Sequence, residues 1–250
     1  MKTTPTPSHP PRQTFLEWYH VATLGQTLQR LEGSYLRSSL KLTYNEKTLQ
    51  VGYLGSETLY VDADFIGGFV LIEEGPTAAE IHGTFARGRA EALPVATESI
   101  DTVILPHVLE FASNPHQVLH EVARILKPEG RLFLLGLNPW SPEDFLRHLP
   151  RKQSRWRSRF VSSHRLLDWL NLLMFDAHFS AAFSLSSCCV FGRPTTLWAR
   201  TRTELAFAYA LKAIKRRPNR IPIEPCWVTL PSLATGQMFE KSCGTLIQIE

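Results

Sequence analysis

Between residues 99 and 136 an apolar run, an amphipathic segment and a second apolar run follow one another with little spacer, which limits the folds open to the chain. Ser99-Ile-Asp-Thr-Val-Ile-Leu-Pro reads as a buried strand. Ser113-Asn-Pro opens a helix from about Asn114 to Leu126, and Lys127-Pro-Glu-Gly closes it, with Gly130 expected to supply the left-handed stop. Arg131-Leu-Phe-Leu-Leu-Gly is the next strand. Strand, helix and strand in this order demand a parallel crossover, so the chain is expected to build an open parallel α/β sheet. Ligands of such sheets bind beyond the carboxyl ends of the strands, where loops and helix N-termini converge.

The flanking sequence extends this unit. Thr48-Leu-Gln-Val-Gly and Gly68-Phe-Val-Leu-Ile-Glu-Glu are predicted as two more buried strands. Between Gly55 and Gly68 the helical pattern is poor, predicting a short or distorted first crossover helix. Upstream, Phe15, Trp18, Tyr19, Ala22, Leu24, Leu28 and Leu31 form one broad helical stripe, either a packing face or a lid over a ligand. Ser163–Leu173 has helical spacing through Leu166, Leu167, Leu170 and Leu173, with Ser162 or Ser163 as its cap. Over Glu204–Ile214, Leu205, Phe207, Tyr209 and Leu211 alternate while the alanines favour helix; alternation decides for a strand.

At 250 residues the chain can bury one substantial core, and a single domain spanning 13–231 is expected, between a disordered tail at 1–12 and a C-terminal tail at 232–250. No run of about 18 apolar residues occurs and residues 1–14 lack a secretory pattern, so a cytoplasmic protein with no membrane partner is expected. Cys188, Cys189, Cys226 and Cys243 show no metal-ligand or disulfide spacing, and no metal is expected. The net charge of +4 conceals an asymmetry: Arg147 to Arg220 holds 15 Lys/Arg against Asp168, Asp176 and Glu204. The basic stretch 147–165, with Trp156 and Phe160 interleaved, suits an anionic ligand or RNA, or is the wet face of an amphipathic helix.

The chemistry-bearing residues are those that follow the strands. Gly52 and Gly55 permit a tight turn and one close backbone approach, without the full G-x-G-x-x-G spacing. Glu73 and Glu74 stand 21 and 22 residues beyond Gly52, near the offset at which an acid accepts hydrogen bonds from a ribose. After the third predicted strand come Leu105, Pro106 and His107, then Glu110; the histidine can orient a ligand, act as a general base, or satisfy a backbone group. Asn138-Pro-Trp140-Ser follows the fourth, either a ligand platform or an anchor for what comes next. There is no G-x-x-x-x-G-K-[ST], H-E-x-x-H or G-x-S-x-G, so kinase, zinc-peptidase and α/β-hydrolase readings lack their parts.

The stretch from Glu91-Ala-Leu-Pro through Pro106-His-Val-Leu-Glu, Asn114-Pro-His-Gln and Lys127-Pro-Glu-Gly to Asn138-Pro-Trp-Ser resembles the second half of a type 11 class I methyltransferase. Weaker likeness runs through Trp18, Leu24-Gly25, Arg165-Leu-Leu-Asp-Trp-Leu and Pro222-Ile-Glu-Pro. The resemblance implies a Rossmann-like, doubly wound, mostly parallel sheet, with a helical cap around 141–203. It implies S-adenosyl-L-methionine as cofactor, with Gly52 and Gly55 in the cofactor loop, Glu73 or Glu74 at the ribose, Arg89 and Ala90 at the adenine edge, and Leu105, Pro106 and His107 on the methionine side. Asn138 and Trp140 are the candidates on the side of an unidentified methyl acceptor. Two residues depart from the pattern: Leu54 replaces a second loop glycine, and Arg89 stands where an acid would face the adenine amine. The implied activity is methyl transfer, and the alternative is a catalytically inactive methyltransferase fold serving as a binding or regulatory protein.

Overall fold

A computed structural model describes residues 10–40, 46–55, 57–61, 69–73, 84–141, 160–184, 189–191 and 206–217. The chain divides into two compact units, Met1–Pro218 and Asn219–Glu250, and all described residues lie in the first. Eight strands form one sheet: β1 (Thr48–Val51), β2 (Phe69–Glu73), β3 (Thr84–Arg87), β4 (Ile100–Pro106), β5 (Leu126–Leu137), β6 (Phe175–Ser184), β7 (Cys189–Phe191) and β8 (Ala208–Lys215). Their order is β3-β2-β1-β4-β5-β8-β6-β7. β3, β2, β1, β4 and β5 pair in parallel, while β8 runs antiparallel to both β5 and β6. This is the doubly wound, mostly parallel sheet, and its order reverses between β1 and β4, the position at which such sheets open a crevice.

Alternation along the central strands separates two apolar layers, since successive side chains point to opposite faces. Ile104, Phe133, Leu135, Leu137, Ala208 and Ala210 face one cluster, together with Phe15, Trp18, Tyr19, Leu28 and Leu36 from α1 (Pro10–Val21) and α2 (Thr23–Ser39). Val103, Leu105, Leu132, Leu134, Tyr209 and Leu211 face the other, under α3 (Pro115–Ile125) and α4 (Ser163–Leu172). Both α3 and α4 begin as the sequence signals: Asn114 Oδ1 accepts from the Gln117 N–H, and Ser162 Oγ from that of Arg165.

Several expectations are corrected. The N-terminal stripe is two helices, because Ala22 adopts an extended conformation (ψ 138°), and α1 begins at Pro10, inside the expected tail. The left-handed residue after α3 is Glu129 (φ 62°); Gly130 serves a close approach, since a Cβ there would lie 2.8 Å from the Lys127 oxygen. Pairing accordingly jumps from Ile100↔Leu126 to Thr102↔Arg131, looping out Lys127–Gly130. The helical cap expected around 141–203 contains α4, but also the ten-residue β6, a full member of the sheet, and β7 beside it. Between Gly55 and β2 the described helical structure is one 3-10 turn, Glu57–Leu59, in keeping with the poor helical pattern there. The strand expected over 204–214 is β8.

The break at Ala22 folds α2 back over α1, and Gly25 makes the approach close. A Cβ on Gly25 would strike the Trp18 carbonyl and stand 2.7 Å from the Tyr19 Cα, both of them main-chain atoms with no freedom to move aside. Gly25→Ala is therefore expected to lower stability by about 1–3 kcal/mol in urea unfolding, against a gain from helix propensity alone.

Candidate functional site

The parallel register places the carboxyl ends of β1, β2, β3 and β4 along one edge: Val51 lies beside Ile72, Glu73 beside Arg87, and Gln50 beside Ile104. Gly52, Glu73, Arg89, Ala90 and Leu105–His107 all sit on or just beyond this edge. Glu74 lies outside the described residues, as does most of the basic stretch 147–165.

The turn after β1 is held by a half-buried carboxylate. Gly52 donates its N–H to the Ile72 oxygen at 2.7 Å, and Gly52 and Gly55 both take positive φ, 92° and 79°. Glu57 Oε1 accepts from the Leu54 N–H at 2.7 Å and from Gln50 Nε2 at 2.8 Å, and Gln50 Oε1 accepts from the Tyr60 hydroxyl. Burial pushes the Glu57 carboxyl up, against the hydrogen bonds that favour its charge. Leu54 is 2% exposed and joins the cluster containing Phe15, Tyr60 and Leu71. Its side chain is thus spent on the core, and its N–H on Glu57.

α1 lies across this turn. A Cβ at Gly52 would stand 2.9 Å from Arg12 Nη2 and 2.7 Å from Val108 Cγ2, and one at Gly55 would stand 2.8 Å from the His20 ring. Arg12 Nη2 donates to the Tyr53 oxygen at 3.0 Å. Gly55 therefore presents bare backbone to a side chain of α1, and Gly52 to one side chain of α1 and to Val108 of the loop after β4.

Beyond β4 the chain takes an unusual conformation at His107, whose φ of 49° is in the left-handed region. The ring is 1% exposed and packs against a tilted Phe15 (5.1 Å between centroids) and an edge-on Tyr19 (6.1 Å). His107 Nε2 bonds Glu32 Oε1 at 3.0 Å, and Glu32 Oε2 accepts from the Tyr19 hydroxyl at 2.8 Å. On the other side His107 Nδ1 faces Glu110 Oε1 at 3.8 Å, an electrostatic contact longer than a hydrogen bond. Glu110 Oε1 accepts from the Leu137 N–H at 2.7 Å, leaving Glu110 Oε2 and His107 Nδ1 buried without a hydrogen-bond partner among the described residues. Burial alone would discharge the imidazole, but Glu32 and Glu110 outweigh it and the pKa is pushed up to about 10. His107 is thus an imidazolium at neutral pH and has no lone pair with which to act as a general base.

The remaining sequence candidates separate. Leu105 and Pro106 are buried at the end of β4, and Ala90 packs partly buried on the α3 side. Arg89 is exposed, 3.4 Å from the Glu91 carboxylate. Asn138 is an anchor: its side chain donates to the Ala206 oxygen at 2.9 Å and accepts from the Trp140 N–H, tying the end of β5 to the approach to β8. Trp140 is 73% exposed. Glu32, Arg12 and His20 were not singled out from the sequence. Glu32 carried a signal, because it occupies the stripe position between Leu28 and Leu36 where an apolar residue belongs; Arg12 and His20 carried none. Among the described residues no group of three or more His, Cys, Asp or Glu is placed to hold a metal, and no helix is long and apolar enough to cross a membrane.

Residues 70–134 match the model of a methyltransferase domain family. The uncharacterized protein YafS of Escherichia coli K12 is 38% identical over 93 residues, 36% of this chain and 39% of that protein. The uncharacterized methyltransferase YcgJ of Bacillus subtilis is 35% identical over 94 residues, 32% of this chain and 36% of that one. The matched stretch thus spans about two fifths of the length of these relatives or less. A SAM-dependent methyltransferase of Thermotoga maritima superposes with a TM-score of 0.58 at 18% identity, over 82% of this chain and 96% of its own.

The Glu32–His107–Glu110 group yields a prediction. The folded-state pKa lies above the ordinary 6.5, so protonation of His107 contributes stability in full below about 6.5 and loses it as pH rises through about 10. Urea unfolding of wild type and His107→Leu at pH 7 and pH 10.5 is expected to show the variant about 3–5 kcal/mol less stable at pH 7, with the difference shrinking at pH 10.5. A difference independent of pH would show that the imidazole is not charged in the fold.

Proposed function

We propose that this protein transfers a methyl group from S-adenosyl-L-methionine to an unidentified acceptor, a reading supported by the match of residues 70–134 to the model of a methyltransferase domain family. The observation that carries the reading is the glycine turn at the strand-order reversal, with Leu54 turned away into the core. Leu54 replaces a loop glycine, and its side chain belongs to the packing beneath. Gly52 faces Val108 Cγ2 and the end of Arg12, and Gly55 faces the His20 ring, so both positions keep bare backbone where the cofactor would approach.

In this reading Gly52 and Gly55 allow the backbone close to the cofactor, and Glu73 or Glu74 accepts from its ribose hydroxyls. Arg89 and Ala90 border the adenine, and Leu105, Pro106 and His107 border the amino-acid end. The bound cofactor supplies an activated methyl on a sulfonium. The chain's own contribution is position and dryness: Phe15, Tyr19 and Phe111 wall the end of β4 and exclude water, with Glu32 and Glu110 flanking the His107 ring behind them. His107 orients and balances these carboxylates and takes no proton. Asn138 and Trp140 border the acceptor side, and the basic stretch 147–165 would favour an anionic acceptor or RNA, which salt-dependent binding would reveal.

Thermal unfolding with S-adenosylhomocysteine tests the cofactor directly. Saturation at about 100 times the dissociation constant is expected to stabilise the fold by about 2.7 kcal/mol. No upward shift of Tm at millimolar ligand would remove the proposal, and Gly52→Val, which fills the turn, is expected to abolish the shift.

A further inference from the structure

We propose that His107 and Glu110 together receive a hydroxyl group of the methyl acceptor, its oxygen taking the Nδ1–H of His107 and its proton turned to Glu110 Oε2. This rests on the cofactor reading above and names the chemistry of the acceptor. Among the described residues four buried side-chain polar atoms have no hydrogen-bond partner, and three of them, His107 Nδ1, Glu110 Oε2 and Ser141 Oγ, lie beyond the carboxyl ends of β4 and β5. Buried polar atoms are seldom left so, and a group of them at the edge where an open α/β sheet binds its ligands points to a partner.

The two groups are side by side and opposite in character. His107 Nδ1 stands 3.8 Å from Glu110 Oε1, too far to bond it, and that oxygen already accepts from the Leu137 N–H at 2.7 Å. The imidazolium has committed its Nε2 to Glu32, so Nδ1 is a donor without an acceptor, while Glu110 Oε2 is an acceptor without a donor. A hydroxyl accepts and donates through one atom and serves both. An ammonium only donates and would face the imidazolium; a carboxylate only accepts and would face Glu110. Capping the Leu137 N–H needs a single oxygen, which the amide of a glutamine would supply, so the cap leaves the second carboxylate oxygen unexplained. Position agrees with chemistry: His107 belongs to the loop assigned to the amino-acid end of the cofactor and Leu137 precedes Asn138 on the acceptor side, and Glu110 reaches from one to the other. Both residues are buried, 1% and 3% exposed, which suits a hydroxyl at the end of a slender chain.

Calorimetric titration of the protein saturated with S-adenosylhomocysteine compares n-hexanol, hexyl methyl ether, hexylamine and hexanoate at neutral pH. The ether keeps the accepting oxygen and lacks the proton, so the wild-type comparison stands even where a variant is poorly folded. Wild type is expected to bind the alcohol about 10- to 100-fold more tightly than the ether, the range of a hydrogen bond to a charged group, and to favour it over the amine and the acid. Glu110→Gln keeps an oxygen for the Leu137 N–H but turns a donor toward the hydroxyl. It is expected to erase the preference for alcohol over ether while S-adenosylhomocysteine still binds. Equal affinity of wild type for alcohol and ether overturns the inference, as does a preference that survives Glu110→Gln, or binding of none of the hexyl compounds to the saturated protein. Wild type that does not bind S-adenosylhomocysteine overturns the cofactor reading and this inference with it.

Discussion

An imidazolium clasped between two carboxylates in the interior sets much of this structure. Taking three ionisable groups out of water costs several kcal/mol each unless they satisfy one another. Here Glu32 comes from α2, His107 from the end of β4, and Glu110 from the turn that follows, which itself caps the Leu137 N–H of β5. The pairing thus makes the helix pair and the carboxyl edge of the sheet interdependent. His107 bears a backbone cost for this role, since a left-handed φ at a residue other than glycine is worth about 1–3 kcal/mol. Such strain persists where the surroundings over-determine it, and the aromatic rings of α1 with the two carboxylates do so.

Legibility from sequence followed the range of the interactions concerned. β1, β2, β4, α3 and β5 could be placed because periodicity, caps and breakers are local, and the parallel crossover followed from their order. β8 was decided by the alternation of Phe207, Tyr209 and Leu211 even though its alanines favour helix, and the two antiparallel neighbours it bonds explain why alternation won. β6 escaped because Phe-Asp-Ala-His-Phe-Ser has no apolar run; it becomes a strand by pairing with β8, a partner more than twenty residues away. The stop after α3 was assigned to the wrong member of Glu129-Gly130, since sequence shows that a glycine is needed but not whether for torsion or for space.

At the site, the edge itself was readable and its contents were not. Strand ends gave Gly52, Glu73, Leu105 and His107, but a period of 3.6 says which face of α1 is buried and nothing of what it covers. Leu54 shows the same gap in reverse: within the sequence it interrupts a glycine pattern, and in three dimensions it is a core residue whose N–H satisfies Glu57. The protonation state of His107 likewise depends on Glu32, 75 residues away along the chain.

β8 is the last described strand in the chain and lies in the interior of the sheet, between β5 and β6. On a ribosome the parallel half emerges first, and β5 then waits with an open edge while the next seventy residues are made. β6 and β7 can form their hairpin in the meantime but have no route into the sheet until Ala208–Lys215 leaves the exit tunnel. The nascent chain therefore carries two unpaired edges at once, each a template for the wrong neighbour, and a single eight-residue segment closes both.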